Sequence, residues 1–114
     1  MIGVSMPSRI FLAIEPADMR KQFNGLWALV LSQLKEDPFS GAVFVFTNAS
    51  RDRVKLLYWD GSGVWVSAKR LEKGRFTWPE GGDGVKVSIT PTALTMLLDG
   101  IALKHGCQKA WYER

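Results

Sequence analysis

The sequence predicts an α+β domain: a mostly antiparallel sheet of five or six strands, one long amphipathic helix and one short C-terminal helix. Three observations predict it. Apolar residues recur at three- and four-residue spacing after Asp18, short β-favouring runs separated by turn residues fill the middle, and Thr90-Pro91 opens a second apolar stretch near the end.

Taken in order, Arg9 to Ile14 reads as a short strand closed by Glu15-Pro16. Asp18 is a good helix N-cap. From it Met19, Phe23, Leu26, Trp27, Val30, Leu31 and Leu34 mark one face of a helix of about 17 residues. Gly25 lies inside that helix at a cost of roughly 1 kcal/mol relative to alanine, which points to a close approach there. Asp37-Pro38 ends it, because the residue before proline is pushed out of the α region. Ala42 to Thr47 is an unbroken apolar run suited to a strand covered on both faces.

Asn48 to Asp52 is a polar loop, followed by strands Arg53–Trp59 and Val64–Arg70. Asp60-Gly61-Ser62-Gly63 joins them, with Gly61-Ser62 suited to a two-residue type II′ turn. That register sets Arg53 opposite Arg70 and Lys55 opposite Ala68. Like charges across a pair disfavour the sheet by some tenths of a kcal/mol unless an anion lies between them. A turn at Glu72-Lys73-Gly74 leads to a short strand Arg75–Trp78, a glycine-rich loop from Glu80 to Gly84, and a last strand Val85–Ile89. Thr90 caps a short helix, Thr92–Leu98, with proline at its first position and Gly100 as its stop.

At 114 residues the chain fits one domain, placed at 1–103, with 104–114 an irregular tail. Six Phe, five Trp and two Tyr supply core material, so a core can form without cross-links. Cys107 is the sole cysteine, which excludes an intrachain disulfide. With an opening segment that does not read as a signal peptide, it agrees with a reducing cytoplasm. No apolar run approaches the roughly 18–20 residues of a membrane span.

The net charge of +4 is concentrated. Acids and bases cancel over residues 1–50 and again over 80–114. The excess lies in 51–79, where Arg51, Arg53, Lys55, Lys69, Arg70, Lys73 and Arg75 face only Asp52, Asp60 and Glu72. Such a concentration can attract polyanions, or can be a solvated face. Aromatics are interleaved with it: Tyr58, Trp59, Trp65, Phe76 and Trp78. Exposed rings there can stack on bases or dock a protein partner, with Trp59, Trp65 and Trp78 as candidates; buried, they are core. Apolar residues on both parities of the hairpin exceed what one helix can cover, which favours a partner or self-association.

Catalytic chemistry finds little footing. His105 and Cys107 are too few ligands for a metal site. Asp52, Asp60 and Glu72 could compose a metal-dependent nuclease triad, but the two aspartates read as turn residues. Gly81-Gly82-Asp83-Gly84 lacks the Lys-Ser/Thr of a phosphate-binding loop. No catalytic residue, metal or cofactor is expected.

The wording of the chain carries further information. Asp18–Leu26 (DMRKQFNGL), Asp37–Phe46 (DPFSGAVFVF), Arg51–Gly63 (RDRVKLLYWDGSG), Ala68–Pro79 (AKRLEKGRFTWP) and Leu97–Ile101 (LLDGI) occur in that order. Together, over roughly residues 1–103, they strongly resemble the second-reading-frame accessory protein, of the TnpB type, of insertion-sequence elements in the sixty-six family. The guide-RNA nuclease that shares the TnpB name is unlike this chain. The resemblance implies a bacterial mobile element whose separate, larger transposase carries the chemistry while small accessory proteins assist, and it brings no catalytic motif. Gln22 and Asn24 depart from the usual DMRKGFDGL, replacing a glycine and an acid.

The resulting expectation is a non-enzymatic accessory protein for DNA transposition that binds DNA through residues 51–79, with the ends of the element as candidate target. The alternative is an adaptor that docks on the transposase or a second accessory protein. Homo-oligomerisation is compatible with either.

Overall fold

The computed structural model describes residues 9–79 and 84–100. Five strands form one sheet: β1 (Ile10–Ala13), β2 (Val43–Thr47), β3 (Arg53–Trp59), β4 (Val64–Arg70) and β5 (Lys86–Ser88). Their spatial order is β4-β3-β2-β1-β5. Only β1 and β2 run parallel, and α1 (Phe23–Ser32) lies in the long connection that a parallel pair requires. The remaining neighbours are antiparallel. The second helix, α2 (Pro91–Leu98), follows β5. This is the α+β class the sequence predicts.

Strand alternation divides the core into two layers. Phe11, Ala13, Phe44, Phe46 and Leu57 meet Leu26, Val30 and Leu34 on the α1 face. Ile10, Leu12, Val43, Val45, Val54, Leu56 and Tyr58 meet Ala93, Leu94 and Leu97 on the α2 face. β2 is buried at every position, as its unbroken apolar run requires. Each large side chain sealed in these layers contributes on the order of 1.5–3 kcal/mol.

The long helix of the sequence reading is shorter: α1 has 10 residues and starts at Phe23. Asp18 does not cap it. Its carboxylate accepts from the Arg20 backbone N–H at 2.9 Å and from the Arg20 guanidinium at 2.8–3.1 Å, which holds these residues in a separate turn. The helix takes Gln22 as N-cap without a side-chain bond. At its other end Lys35 adopts a left-handed φ of 56° and the Glu36 N–H returns to the Val30 carbonyl. The buried stripe is Leu26, Val30 and Leu34, whereas Phe23 and Leu31 are about half exposed at 48% and 53%. Asp37 instead caps a 3₁₀ turn, Pro38–Ser40, through its bond from the Phe39 N–H.

The β3–β4 hairpin has the register the sequence predicts, Arg53 opposite Arg70 and Lys55 opposite Ala68. Gly61 takes a φ of 104°, which only glycine adopts at ease and which the first central position of the turn requires. β5 is confined to Lys86–Ser88. Arg75–Trp78 is not a strand. The chain leaves the hairpin through Gly74, the Phe76 N–H donates to the Arg51 carbonyl, and Phe76 and Trp78 lie across the α2 face. Thr90 caps α2 by accepting from the Ala93 N–H at 3.1 Å, Pro91 is its first residue, and Gly100 closes it at a φ of 78°. The 104–114 tail, with His105 and Cys107, lies outside the described residues, as does most of the Glu80–Gly84 loop. No described helix is long and apolar enough to cross a membrane.

Candidate nucleic-acid interface

Seven cations of the 51–79 region were singled out by charge, and the structure separates them into three groups. Arg53 and Arg70 form one rung of the hairpin. The neighbouring hydrogen-bonded rungs pair Asp52 with Leu71 and Val54 with Lys69, as the Leu71 N–H to Asp52 carbonyl bond of 2.9 Å shows. The arginines therefore stand in the non-hydrogen-bonded kind of pair, where Cα atoms approach to about 4.5 Å. Both are exposed and project from the α1 face. Beside them lies an open groove of about 390 Å³ lined by Met19, Arg53, Val54, Lys55, Ala68, Lys69 and Arg70. Four of those residues are cations and none is a carboxylate.

Lys55 and Lys69 are committed to main-chain acceptors. Lys55 is buried, and its Nζ donates to the Lys21 carbonyl at 2.8 Å. Gly25 leaves room for the Lys21 side chain at the start of α1: a Cβ there would meet Lys21 Cβ and Cγ at 3.0 Å. Lys69 Nζ donates at 2.6 Å to the carbonyl of Leu98, at the negative end of α2.

Arg51, Lys73 and Arg75 lie around the start of the hairpin and the turn that leaves it. Arg51 has a left-handed φ of 59°, and its carbonyl accepts from the Phe76 N–H. Lys73 and Arg75 are exposed. Among the described residues the ion pairs are Arg20–Asp18 and Lys86–Glu36, so neither draws on the seven cations.

The three tryptophans part company. Trp78 is core, 5% exposed, with Nε1 donating to the Ala13 carbonyl at 2.9 Å. Trp59 packs edge-on against Phe39 and Trp27 at centroid distances of 5.0 and 6.3 Å, and Phe39 is 59% exposed. Trp65 is 47% exposed on the other face, parallel to Tyr58 at 6.2 Å. Its indole N–H donates to Asp60 Oδ2 at 2.7 Å. The backbone N–H groups of Ser62 and Gly63 also donate to Asp60, and together with the indole they hold its carboxyl at about 2. Burial, with Asp60 nearby, pushes the Tyr58 phenol up.

Asp52 and Asp60 have the turn roles read from sequence. Asp52 accepts from the Asn48 side-chain amide at 2.7 Å, and its own N–H donates to Asn48 Oδ1. Among the described residues no three His, Cys, Asp or Glu side chains gather where a metal ion could be held.

Two features escaped the sequence reading. Met19 lines the groove although it precedes α1. Phe23, Leu31 and Phe39, with Trp27 and Trp59, leave an apolar surface on the α1 side. The signal for it was present: Leu26-Trp27 and Val30-Leu31 make an apolar arc wider than one sheet contact can bury.

Fold and site thus define a small α+β domain with a basic, carboxylate-free groove at one end of its sheet. Residues 8–108 match the family model described as IS66 Orf2 like protein, and the chain belongs to that family of accessory proteins of insertion-sequence transposition. It is 44% identical over 101 residues to the uncharacterized protein y4jC of Sinorhizobium fredii, covering 89% of this chain and 86% of that one. It is 38% identical over 103 residues to the uncharacterized protein y4hO of the same organism, covering 90% and 88%. No solved structure matches the chain significantly.

Proposed function

We propose that this protein assists transposition by binding DNA through the Arg53–Arg70 rung and the cations around it, without a catalytic step of its own. The carrying observation is that rung: two arginines in the closer kind of cross-strand pair, beside a groove with four cations and no carboxylate. Such a pair is stabilised by a phosphate between its members. Arg51, Lys73 and Arg75 extend the positive field, while Lys55 and Lys69 shape the site from main-chain anchors. A bacterial cytoplasm follows from that role.

The test is a titration of the purified chain against duplex DNA at several salt concentrations, for the parent and for Arg53→Glu with Arg70→Glu. Weakened binding with a shallower salt dependence supports the reading, and unchanged binding by the folded double variant defeats it.

A second reading has its own observation. Phe39, Phe23 and Leu31 stand about half exposed around Trp27 and Trp59, which suits an adaptor that docks on the transposase or a second accessory protein. Retention of transposase binding by the double arginine variant, with loss on Phe39→Ser, would favour it.

A further inference from the structure

The two edges of the sheet differ. β5 has three residues with Lys86 among them, a short and charged edge of the kind that resists pairing. β4 has seven residues, of which Val64–Ala68 carry no charge, no proline and no glycine. Its cations, Lys69 and Arg70, are confined to the C-terminal end.

The hydrogen-bonding of the hairpin fixes which β4 groups are free. The Asp60 N–H to Gly63 carbonyl bond and the Leu71 N–H to Asp52 carbonyl bond mark rungs that exchange bonds, and every second rung between them does the same. Trp65, Ser67 and Lys69 therefore direct their backbone groups at β3. Val64, Val66, Ala68 and Arg70 direct theirs outward, and among the described residues no backbone group meets them.

We propose that a second copy of this chain pairs with β4, antiparallel and centred on Ser67, joining the two sheets edge to edge. The charge pattern selects this occupant and this orientation. Parallel self-pairing would bring Lys69 and Arg70 against their own copies. The antiparallel register centred on Ser67 sets Val64 opposite Arg70, Val66 opposite Ala68, and Trp65 opposite Lys69.

The outward-facing residues become four pairs, each exchanging two main-chain bonds. The Lys69 ammonium spends one donor on Leu98 and keeps others for the indole face of the partner copy's Trp65. That ring is half exposed and held by Asp60, which explains why a large apolar side chain stands free at this edge. Shifting the centre by one residue, to Val66 or Ala68, leaves three such pairs in place of four. The two-fold axis is perpendicular to the sheet, so both Arg53–Arg70 rungs lie on one face of the joined sheet.

Ser67 sits on the axis as a non-hydrogen-bonded pair with its own copy, at the Cα separation a disulfide spans. The experiment is oxidation of Ser67→Cys in a Cys107→Ser background, beside Trp65→Cys and Lys69→Cys in the same background. Cross-linked dimer from position 67, with little from 65 or 69, is the expected result. Equal cross-linking at all three positions, or none at 67, overturns the register.

Sedimentation of the full chain at tens of micromolar supplies the second measurement. Trp65→Lys, which faces Lys69, should give monomer, and Trp65→Glu should keep the dimer. A monomeric parent, or identical behaviour of the two variants, overturns the pairing. Neither readout involves DNA, so the pairing and the DNA reading fail separately.

Discussion

Arg53 on β3 and Arg70 on β4 occupy one non-hydrogen-bonded rung of the sheet, with no carboxylate among the residues lining the groove beside them. Two guanidiniums so placed repel by some tenths of a kcal/mol in the free protein. A bound anion turns that cost into attraction. The hairpin is held in register by its other rungs, Tyr58–Trp65 and Leu57–Val66 among them, so the repulsion does not separate the strands.

DNA affinity should therefore depend on this rung in a salt-linked way. Arg53→Glu with Arg70→Glu is expected to flatten the plot of log affinity against log salt by about 0.9 for each phosphate that is no longer neutralised. Fluorescence anisotropy on a labelled duplex at several salt concentrations reads it directly.

Lys55 should behave differently, though it follows Arg53 on the same face of the strand. Its ammonium is buried against the Lys21 carbonyl, so Lys55→Met removes an anchor for the turn before α1. The expected loss is about 1–2 kcal/mol of stability by urea denaturation, with the salt slope of DNA binding unchanged. A slope that falls as it does for Arg53 would show that Lys55 meets phosphate.

What could be read from the sequence was local. The register of β3 and β4 follows from Gly61-Ser62 and the alternation on either side of it. The cap of α2 follows from Thr90 with Pro91. The errors were contests between partners. Asp18 can cap a helix, but Arg20 takes its carboxylate, and α1 starts four residues after Met19. Arg75–Trp78 has the composition of a strand, but its Phe76 N–H goes to the Arg51 carbonyl in the loop before β3, and Phe76 and Trp78 become core. Charge located the basic region, yet not which cations are available, because the fate of Lys55 is decided by the Lys21 carbonyl, 34 residues away in sequence.

Trp78 offers a check on the second core layer. Its ring closes the α2 face and its N–H satisfies the Ala13 carbonyl at 2.9 Å. Trp78→Phe keeps an aromatic ring but leaves that carbonyl without this donor and opens a void where the indole was. The expected cost is about 2–3 kcal/mol, read as a lowered urea midpoint at unchanged slope.

Asp60 gives the hairpin a pH dependence whose sign can be stated. Its carboxylate accepts from the Ser62 and Gly63 N–H groups and from the Trp65 indole, and these bonds lower its pKa to about 2. The unfolded chain lacks them and titrates near the ordinary value of about 3.9. A depressed folded pKa means stability that is present above about 4 and lost as pH falls towards 2. The Trp65 indole resonance of the folded chain should follow that lowered pKa, holding its position through about pH 4 and moving only as pH approaches about 2, where the carboxylate that accepts its proton is neutralised. Asp60→Asn should remove that titration and leave the other indole signals in place. An indole resonance indifferent to pH in the parent chain would mean that the Asp60–Trp65 bond is not formed in solution.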